Sequence, residues 1–271
     1  MDLKVFNRRT GVMGILNVTP DSFSDGGRLA DKGSLLNQVE NMVTQGVDIL
    51  DIGGESTRPY ADSVSLEEEM DRVIPAIKAI RQHFDTPISV DTTKAAVAEQ
   101  SMDAGADIIN DISSLQFDPD MGGVALKYGA PVIIMHMQGT PRTMQQNPEY
   151  ADVLAEVSAM LSERVRQAEA QGIKREKIII DPGIGFGKSL EHNLTILKNI
   201  PYFKKLGLPV LIGHSRKSFI HKLLGIANPE DRDEASAIIS ALCAGQGASL
   251  IRTHDVARTV QAIKLTESLN V

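Results

Sequence analysis

The chain has 271 residues, of which 42% are hydrophobic and 23% are charged, and its formal net charge is −7. This balance excludes an intrinsically disordered chain, and the negative charge argues against a nucleic acid as partner. No apolar run approaches the roughly 20 residues that a membrane span needs, and the N-terminus has no apolar core of a secretory signal. The single cysteine, Cys243, excludes an internal disulfide. We therefore expect a cytoplasmic protein without a membrane partner, in which Cys243 is a buried thiol.

Eight short runs rich in β-branched residues recur along the chain, and each is followed by a loop and a helical pattern. Such continuous apolar runs predict strands that are buried on both faces, as in a parallel sheet. The runs span residues 12–17, 48–52, 88–91, 108–111, 132–136, 178–181, 210–214 and 250–254.

Helical periodicity fills the gaps between these runs. The segment 66–80 places its apolar residues on one face, and Ser65 with Glu68 has the spacing of a capping box. Pro75 inside this segment predicts a kink or a break. The longest predicted helix lies within 148–172 and ends at Gly172. Its apolar stripe consists of Val153, Val157, Leu161 and Val165.

Eight strands that alternate with helices in 271 residues match a closed (β/α)8 barrel, the TIM barrel. An open doubly wound sheet is the alternative. No linker or change of composition interrupts the chain, so we expect a single domain over residues 1–271. In such a barrel the active site lies at the C-terminal ends of the strands.

Polar residues lie at or near the C-terminal end of every predicted strand. They are Asn17, Asp51, Asp91, Asn110, His136, Asp181, His214, Arg252 and His254. A single polar residue there often caps a loop, but the same asymmetry in eight strands predicts a functional site. Arg252 and His254 are two residues apart on a strand, so their side chains share a face and suit an anion.

Two loops after the first two strands strengthen this interpretation. Residues 19–27 and 53–59 are rich in glycines and hydroxyl groups, and the second loop contains Arg58. Backbone N–H groups and a guanidinium in a short turn are typical of phosphate binding. Phe23 in so polar a loop favours a mobile lid that closes over a substrate.

Eight sequence motifs occur in order along almost the whole chain. They are GILNVTPDSFSDGG (14–27), DIGGESTRP (51–59), SVDTTK (89–94), GADIINDIS (105–113), MHMQGTPRTMQ (135–145), DPGIGFGKS (181–189), SRKSF (215–219) and IRTHD (251–255). Together they closely resemble the dihydropteroate synthases, a pterin-binding family. The resemblance implies a homodimeric transferase of folate biosynthesis that joins a dihydropterin methyl diphosphate to 4-aminobenzoate, releases diphosphate and is the target of sulfonamide drugs.

The resemblance also implies which residues bind each part of the substrates. The pterin residues are Asp91, Asn110, Ile112, Met135, Asp181, Phe186, Gly213 and Lys217. The diphosphate residues are Asn17, Arg58, Arg252 and His254, with a Mg²⁺ cofactor held by Asn17 and the diphosphate. The aminobenzoate residues are Phe23, Thr57, Pro59, Phe186, Lys217 and Ser218. The expected catalytic residues are Asn17, Arg58, Lys217, Arg252 and His254, in an SN1-like displacement that needs no strong general base.

The chain departs from the family pattern at three places. His214 stands where a small or apolar residue is usual, which predicts either an altered pocket wall or a surface histidine. Residues 232–236 lack a glycine after Arg232, which leaves the start of the following helix open. Thr253 replaces the common valine, and its side chain is expected to face away from the site.

Two other functions are compatible with the same barrel. A pterin-dependent methyltransferase would keep the pterin carboxylates but would have no use for the residues around Arg58, Arg252 and His254. A non-catalytic pterin-binding homologue would be expected to carry degraded motifs, and none of the eight is degraded. The intact anion-binding loops therefore favour the synthase.

Overall fold

The structure is a computed structural model, and it describes Leu3, Phe6 and residues 9–18, 28–55 and 63–269. Within these ranges eight strands alternate with helices. The strands are β1 (Gly11–Asn17), β2 (Ile49–Gly53), β3 (Ile88–Asp91), β4 (Ile108–Asp111), β5 (Val132–Met135), β6 (Ile178–Asp181), β7 (Leu211–Gly213) and β8 (Leu250–Thr253). The helices are α1 (Arg28–Gln45), α2 (Leu66–Arg81), α3 (Ala95–Ala104), α4 (Met121–Tyr128), α5 (Val153–Ala170), α6 (Leu190–Lys198), α7 (Ile200–Lys204), α8 (Ser218–Leu224), α9 (Asp233–Gly245) and α10 (Val256–Leu269).

The eight strands form one parallel sheet that closes on itself. Neighbours pair in the order β6-β5-β4-β3-β2-β1-β8-β7, and a parallel bridge between Ile180 and Val210 joins the two end strands. The Ile180 N–H also donates to Pro209 O over 3.0 Å at this seam. The predicted (β/α)8 barrel is therefore confirmed, and the open sheet is excluded. The predicted bounds of β3, β4 and β6 agree with the structure residue for residue.

The lower half of the barrel interior is filled by apolar side chains. Residues of one buried cluster come from seven strands and from the N-terminal segment: Leu3, Phe6, Met13, Ile49, Ile108, Ile133, Ile179, Leu211 and Leu250. A Cβ on Gly11 would lie 2.3 Å from Phe6 Cε1, so only glycine lets Phe6 close the bottom of the barrel. This packed floor leaves the opposite end of the strands for polar side chains.

A second, larger cluster lies between the strands and the surrounding helices. The predicted stripe of α5 is buried there, which confirms its orientation: Val153, Val157, Leu161 and Val165. The helix begins at Val153 rather than near residue 148, because the Asp152 carboxylate accepts the N–H groups of Leu154 and Ala155. Cys243 is buried in this layer, as expected. Among the described helices, none combines the length and hydropathy that a bilayer span requires.

The start of α2 follows only half of the predicted capping box. Ser65 Oγ accepts the Glu68 N–H over 3.2 Å, but the Glu68 carboxylate pairs with Arg72 instead of the Ser65 N–H. The predicted break at Pro75 is wrong, since α2 runs unbroken from Leu66 to Arg81. Pro75 lies on the exposed face, where the carbonyl that it leaves unpaired can meet solvent.

The three departures from the family pattern have clear structural settings. His214 is fully buried and its Nε2 lies 2.8 Å from Ser236 O of α9, so the expectation of a surface histidine is wrong. It packs behind the barrel, because side chains alternate along β7 and Gly213 takes the inward position. Helix α9 begins at Asp233, after a short 3₁₀ turn. Thr253 is buried and accepts a hydrogen bond from Thr259 of α10, so it faces away from the site as expected.

Candidate active site

Inward-facing residues at the C-terminal ends of seven strands form the upper part of the barrel interior. The alternation of side chains along each strand places them above the apolar floor. These residues are Asp51, Asp91, Asn110, Met135, Asp181, Gly213 and Arg252. Most of the expected pterin residues lie in this layer or directly beside it, because Ile112 and Lys217 follow β4 and β7.

Arg252 joins two carboxylates across the barrel mouth. Its Nε donates to Asp51 Oδ2 over 2.6 Å, and its Nη2 donates to Asp91 Oδ2 over 2.7 Å. Asn110 Nδ2 lies 3.3 Å from each oxygen of Asp51, which is fully buried. The guanidinium thus stands beside both the expected pterin carboxylate Asp91 and the rim of the barrel. Asp51 has no assigned binding role from the motifs, yet it holds Arg252 in place.

Asp91 is one of the two carboxylates that Arg252 contacts, and burial changes its protonation. Burial raises the pKa of Asp91 to about 7, although the positive charge of Arg252 opposes the shift and the negative charge of Asp51 adds to it. A buried carboxylate next to a guanidinium is poised between its two forms near neutral pH. Asp91 can therefore accept or donate a hydrogen bond to a heterocyclic edge.

Asp181 and Lys217 form the opposite side of the same pocket. Asp181 Oδ1 accepts the Gly183 N–H over 2.7 Å, and burial raises the pKa of the carboxyl while Lys217 opposes the shift. Burial lowers the pKa of Lys217 to about 7 despite the attraction of Asp181. Gly213 takes the inward position of β7 beside this carboxylate, where a Cβ would lie 3.8 Å from Asp181 Oδ2, an ordinary van der Waals distance.

An apolar cluster lies next to these charges. It consists of Ile112, Met135, Met144 and Phe186, all buried. Lys217 Nζ lies 4.4 Å from the centroid of the Phe186 ring, which is a cation–π contact. Met144 was not among the predicted site residues, because it lies in a long segment after β5 whose sequence gives no sign that it folds back. An aromatic ring with polar edges suits a pocket of this composition.

A buried lysine, Lys188, holds the loop that follows β6 through its side-chain contacts. Lys188 Nζ lies 2.9 Å from His136 Nδ1 and donates to Phe186 O over 3.0 Å. Burial lowers the pKa of Lys188 well below its usual value and that of His136 to about 3. Gly183 permits this arrangement, because its φ is +70° and a Cβ would lie 1.9 Å from His136 O.

The remaining expected residues lie around the rim. Asn17 is exposed at the end of β1, and Ser218 is exposed at the start of α8. His254 follows β8, and its Nδ1 lies 2.9 Å from Ser215 Oγ, a contact that the sequence did not predict. Four expected residues lie outside the described residues: Phe23, Thr57, Arg58 and Pro59.

Comparisons with known proteins identify the family of this chain. The family model for pterin binding enzymes matches residues 13–254. The chain belongs to the dihydropteroate synthase family. The dihydropteroate synthase of Escherichia coli K12 is 49% identical over 95% of this chain and 90% of that protein. The Synechocystis enzyme of the same name is 47% identical over 97% and 91%.

Solved structures of dihydropteroate synthases show the same barrel. The Yersinia pestis protein, solved as a sulfonamide drug complex, has a TM-score of 0.90 and 45% identity, covering 97% of this chain and 94% of that chain. The Xanthomonas albilineans protein, solved with 4-aminobenzoic acid, has a TM-score of 0.89 and 43% identity over 97% and 94%. The chain is therefore an enzyme, a transferase of folate biosynthesis, as the motifs predicted.

Proposed function

We propose that this enzyme condenses 6-hydroxymethyl-7,8-dihydropterin diphosphate with 4-aminobenzoate to give 7,8-dihydropteroate and diphosphate. One observation carries the proposal: two buried carboxylates, Asp91 and Asp181, end β3 and β6 beside an apolar cluster. Arg252 donates to Asp91, and Lys217 Nζ lies 4.4 Å from the Phe186 ring of that cluster. Such a pocket suits a flat heterocycle that is attached to a leaving anion. A Xanthomonas albilineans relative was solved with 7,8-dihydropteroate, which agrees with this product.

The two carboxylates would recognise the pterin ring. The 2-amino-4-oxo-pyrimidine edge presents adjacent N–H donors, and a carboxylate accepts such a pair in bidentate fashion. Asp181 is oriented for this by the Gly183 N–H. Asn110 adds an amide that both donates and accepts, and Asp91, whose pKa lies near 7, would meet the ring from the other side. Ile112, Met135 and Phe186 would pack against the ring faces.

The leaving diphosphate would bind at the rim of the barrel. Arg252 lies at its inner edge and His254 at its outer edge, while Asn17 ends β1 on the same end of the barrel. Arg58 would add a second guanidinium from the loop after β2. Preorganised donors that face developing negative charge are commonly the largest catalytic contribution. Departure of the diphosphate is therefore the step that these residues would accelerate.

Magnesium fits this rim through a single protein ligand. Among the described residues, no group of three or more His, Cys, Asp or Glu side chains is arranged to hold a metal ion. Asn17 is exposed and its carboxamide oxygen is a hard donor, and Mg²⁺ is commonly held by one or two protein oxygens together with substrate phosphates and water. When bound there by Asn17 and the diphosphate, Mg²⁺ would neutralise charge on the leaving group.

The displacement is proposed to be dissociative. The conjugated pterin spreads the positive charge left on its exocyclic methylene, so the neutral amine of 4-aminobenzoate can attack without a strong general base. Lys217 and Phe186 would border the aminobenzoate, with Ser218 at the entrance. Phe23, Thr57 and Pro59 would complete this pocket and exclude water, which would otherwise capture the cation.

A coupled turnover assay tests the proposal. Purified enzyme, dihydropterin diphosphate, labelled 4-aminobenzoate and Mg²⁺ should yield dihydropteroate and diphosphate in equal amounts. Asp181→Asn should remove this activity, whereas Asp85→Asn, which changes an exposed aspartate to the same amide, should retain it. A sulfonamide should compete with 4-aminobenzoate. Pterin binding without release of diphosphate would instead favour the methyltransferase or a non-catalytic homologue.

We also propose that the enzyme is a homodimer through α9 and α10. Six of the nine exposed large apolar side chains of the described residues lie on α8–α10: Leu223, Leu224, Ile238, Leu242, Leu265 and Leu269. Ile238 and Leu242 are four residues apart on α9, and Leu265 and Leu269 have the same spacing on α10, so each pair lines one helix face. A concentrated apolar patch of this kind is typical of an interface.

Sedimentation analysis of Leu242→Asp tests this dimer. The substitution should place a charge in the apolar face and yield a monomer. Leu126→Asp, at an exposed leucine on α4, is the matched control and should leave the mass unchanged. A dimeric Leu242→Asp protein would contradict the proposed interface.

A cytoplasmic location is proposed from the cysteine usage. Cys243 is the only cysteine of the sequence, it is buried, and burial raises the pKa of its thiol to about 12. A chain with one shielded thiol and no disulfide suits a reducing compartment. Cell fractionation tests this inference.

A further inference from the structure

Ser215 and His254 make two contacts with each other at the C-terminal end of the barrel. The backbone N–H of His254 donates to Ser215 Oγ over 3.1 Å, and Ser215 Oγ lies 2.9 Å from His254 Nδ1. Ser215 is buried, whereas His254 is partly exposed. The serine therefore contacts both the backbone and one edge of the imidazole of the same residue.

The hydrogen bond that Ser215 Oγ accepts from the His254 N–H determines the direction of its hydrogen bond with His254 Nδ1. A serine hydroxyl has one hydrogen to donate and two lone pairs. If Nδ1 carried the proton, Ser215 would accept twice and its own hydrogen would need another acceptor. Within the part of the chain that the structure describes, the hydroxyl has only His254 as a hydrogen-bond partner. Because a buried donor without an acceptor is costly, Ser215 donates to Nδ1.

We propose that Ser215 is a positioning residue that holds His254 in the tautomer with its proton on Nε2. The inference rests on the proposed function, in which His254 binds the leaving diphosphate. An N–H at Nε2 donates to a phosphate oxygen, whereas an unprotonated Nε2 carries a lone pair that the oxygen would repel. Ser215 thereby makes the opposite edge of the neutral ring a donor for developing negative charge.

The turn that carries Ser215 is held in place by α9. Both branches of the Arg216 guanidinium donate to the Asp233 carboxylate over 2.7 Å, and the Arg216 N–H donates to Ser236 Oγ over 3.1 Å. His214, on the other side of Ser215, contacts Ser236 O. Because these contacts hold the turn in place, the Ser215 hydroxyl favours one orientation of the His254 ring.

Nuclear magnetic resonance reads the tautomer directly and needs no substrate. Long-range ¹H–¹⁵N correlations of the imidazole are recorded on ¹⁵N-labelled enzyme at about pH 8, where an unperturbed histidine is neutral. His254 is assigned by the signals lost in His254→Gln. We expect the Nε2–H pattern for His254 in the wild type, a mixture of tautomers in Ser215→Ala, and a return to Nε2–H in Ser215→Thr. Exposed His83 should give the same signals in all samples.

Kinetics supply the second readout. Ser215→Ala should weaken inhibition by inorganic diphosphate and raise the KM of the dihydropterin diphosphate about tenfold, the loss that corresponds to one weakened hydrogen bond to an anion. The KM of the amine substrate should stay within about twofold of the wild type, because the amine does not contact His254. Ser215→Thr, which keeps the hydroxyl, should restore the wild-type values.

Ser236→Ala separates positioning from general support of the turn. It removes a buried hydroxyl that holds Arg216 but does not contact His254. If Ser236→Ala changed the His254 tautomer as much as Ser215→Ala does, the proposal would be overturned. A wild-type enzyme that turns over with His254 as the Nδ1–H tautomer would overturn it too and leave the proposed function intact. An Nε2–H tautomer lost in Ser215→Ala would support the positioning role even in an inactive enzyme, where only the proposed function would fail.

Discussion

The guanidinium of Arg252 donates to the carboxylate of Asp51 over 2.6 Å, although 201 positions separate the two residues in the chain. This pair links the last strand of the barrel to the second, and its carboxylate is fully buried, whereas the Arg252 side chain is 20% exposed. Arg252 reaches Asp91 with its other nitrogen. The orientation of Arg252, a proposed diphosphate-binding residue, therefore depends on a carboxylate to which the motifs assign no role.

Asp51→Asn should destabilise the fold and lower activity together. The substitution keeps the shape of the side chain but removes the charge opposite Arg252, and breaking a buried ion pair costs about 3 kcal/mol or more. Urea unfolding measures this loss, and the turnover assay should show a higher KM for the dihydropterin diphosphate. Glu99→Gln removes the carboxylate of the exposed Lys127–Glu99 pair and should leave the free energy of unfolding nearly unchanged. Equal costs for both variants would contradict the role of Asp51.

The stability contributed at Lys217 should rise with pH. Burial lowers its pKa in the folded enzyme to about 7, against 10.5 for an ordinary lysine. Between these two values the unfolded chain binds more protons than the folded one, so the free energy of unfolding increases as the pH rises through this window. Comparing wild type with Lys217→Met by urea unfolding at pH 7 and pH 10 should show a free energy of unfolding that rises more, or falls less, in the wild type than in the variant. Replacing exposed Lys222 with methionine should leave the pH dependence unchanged, and the same pH dependence in wild type and Lys217→Met would contradict the shift.

Gly183→Ala should impair the enzyme severely. The added Cβ would lie 1.9 Å from His136 O in a backbone conformation of φ +70°, so the loop after β6 would have to move. Because that loop carries Phe186 and orients Asp181, we expect a loss of more than about 2 kcal/mol in stability and a much weaker affinity for the pterin. Gly123→Ala on α4, where a Cβ meets nothing within 4 Å, should instead stabilise the helix by about 0.5–1 kcal/mol. Calorimetry distinguishes the two, and a fully active Gly183→Ala enzyme would show that the loop tolerates the shift.

The sequence predicted the strands well because their apolar runs are continuous. Strands buried on both faces leave a local signal that does not depend on the rest of the chain, which is why β3, β4 and β6 agree with their predicted bounds. The polar residues at the strand ends were visible for the same reason. Pro75 was misjudged, because the sequence does not show that it lies on the exposed face of α2.

Contacts between distant residues left no such local signal. The pairing of Asp51 with Arg252 and of Ser215 with His254 arises only when the barrel closes. His214 was expected in the pocket wall or at the surface. Its ring instead contacts Ser236 and Ser240 of α9, and the local sequence around His214 does not predict these contacts. The partners of each of these side chains are determined by packing between residues that are distant in the chain.

Lys188→Met should test the contribution of the buried lysine, whose interior position no sequence pattern predicts. Lys188 is 2% exposed, and its Nζ contacts His136 Nδ1 and Phe186 O. Methionine has a similar length but leaves both buried groups without their donor, at about 1–3 kcal/mol each. We therefore expect a lower melting temperature and, because Phe186 loses a backbone anchor, a higher KM for the pterin substrate. Lys198→Met, at an exposed lysine that ends α6, should change the free energy of unfolding by no more than about 0.5 kcal/mol. A Lys188→Met enzyme as stable as wild type would show that the lysine contributes no net stability to this loop.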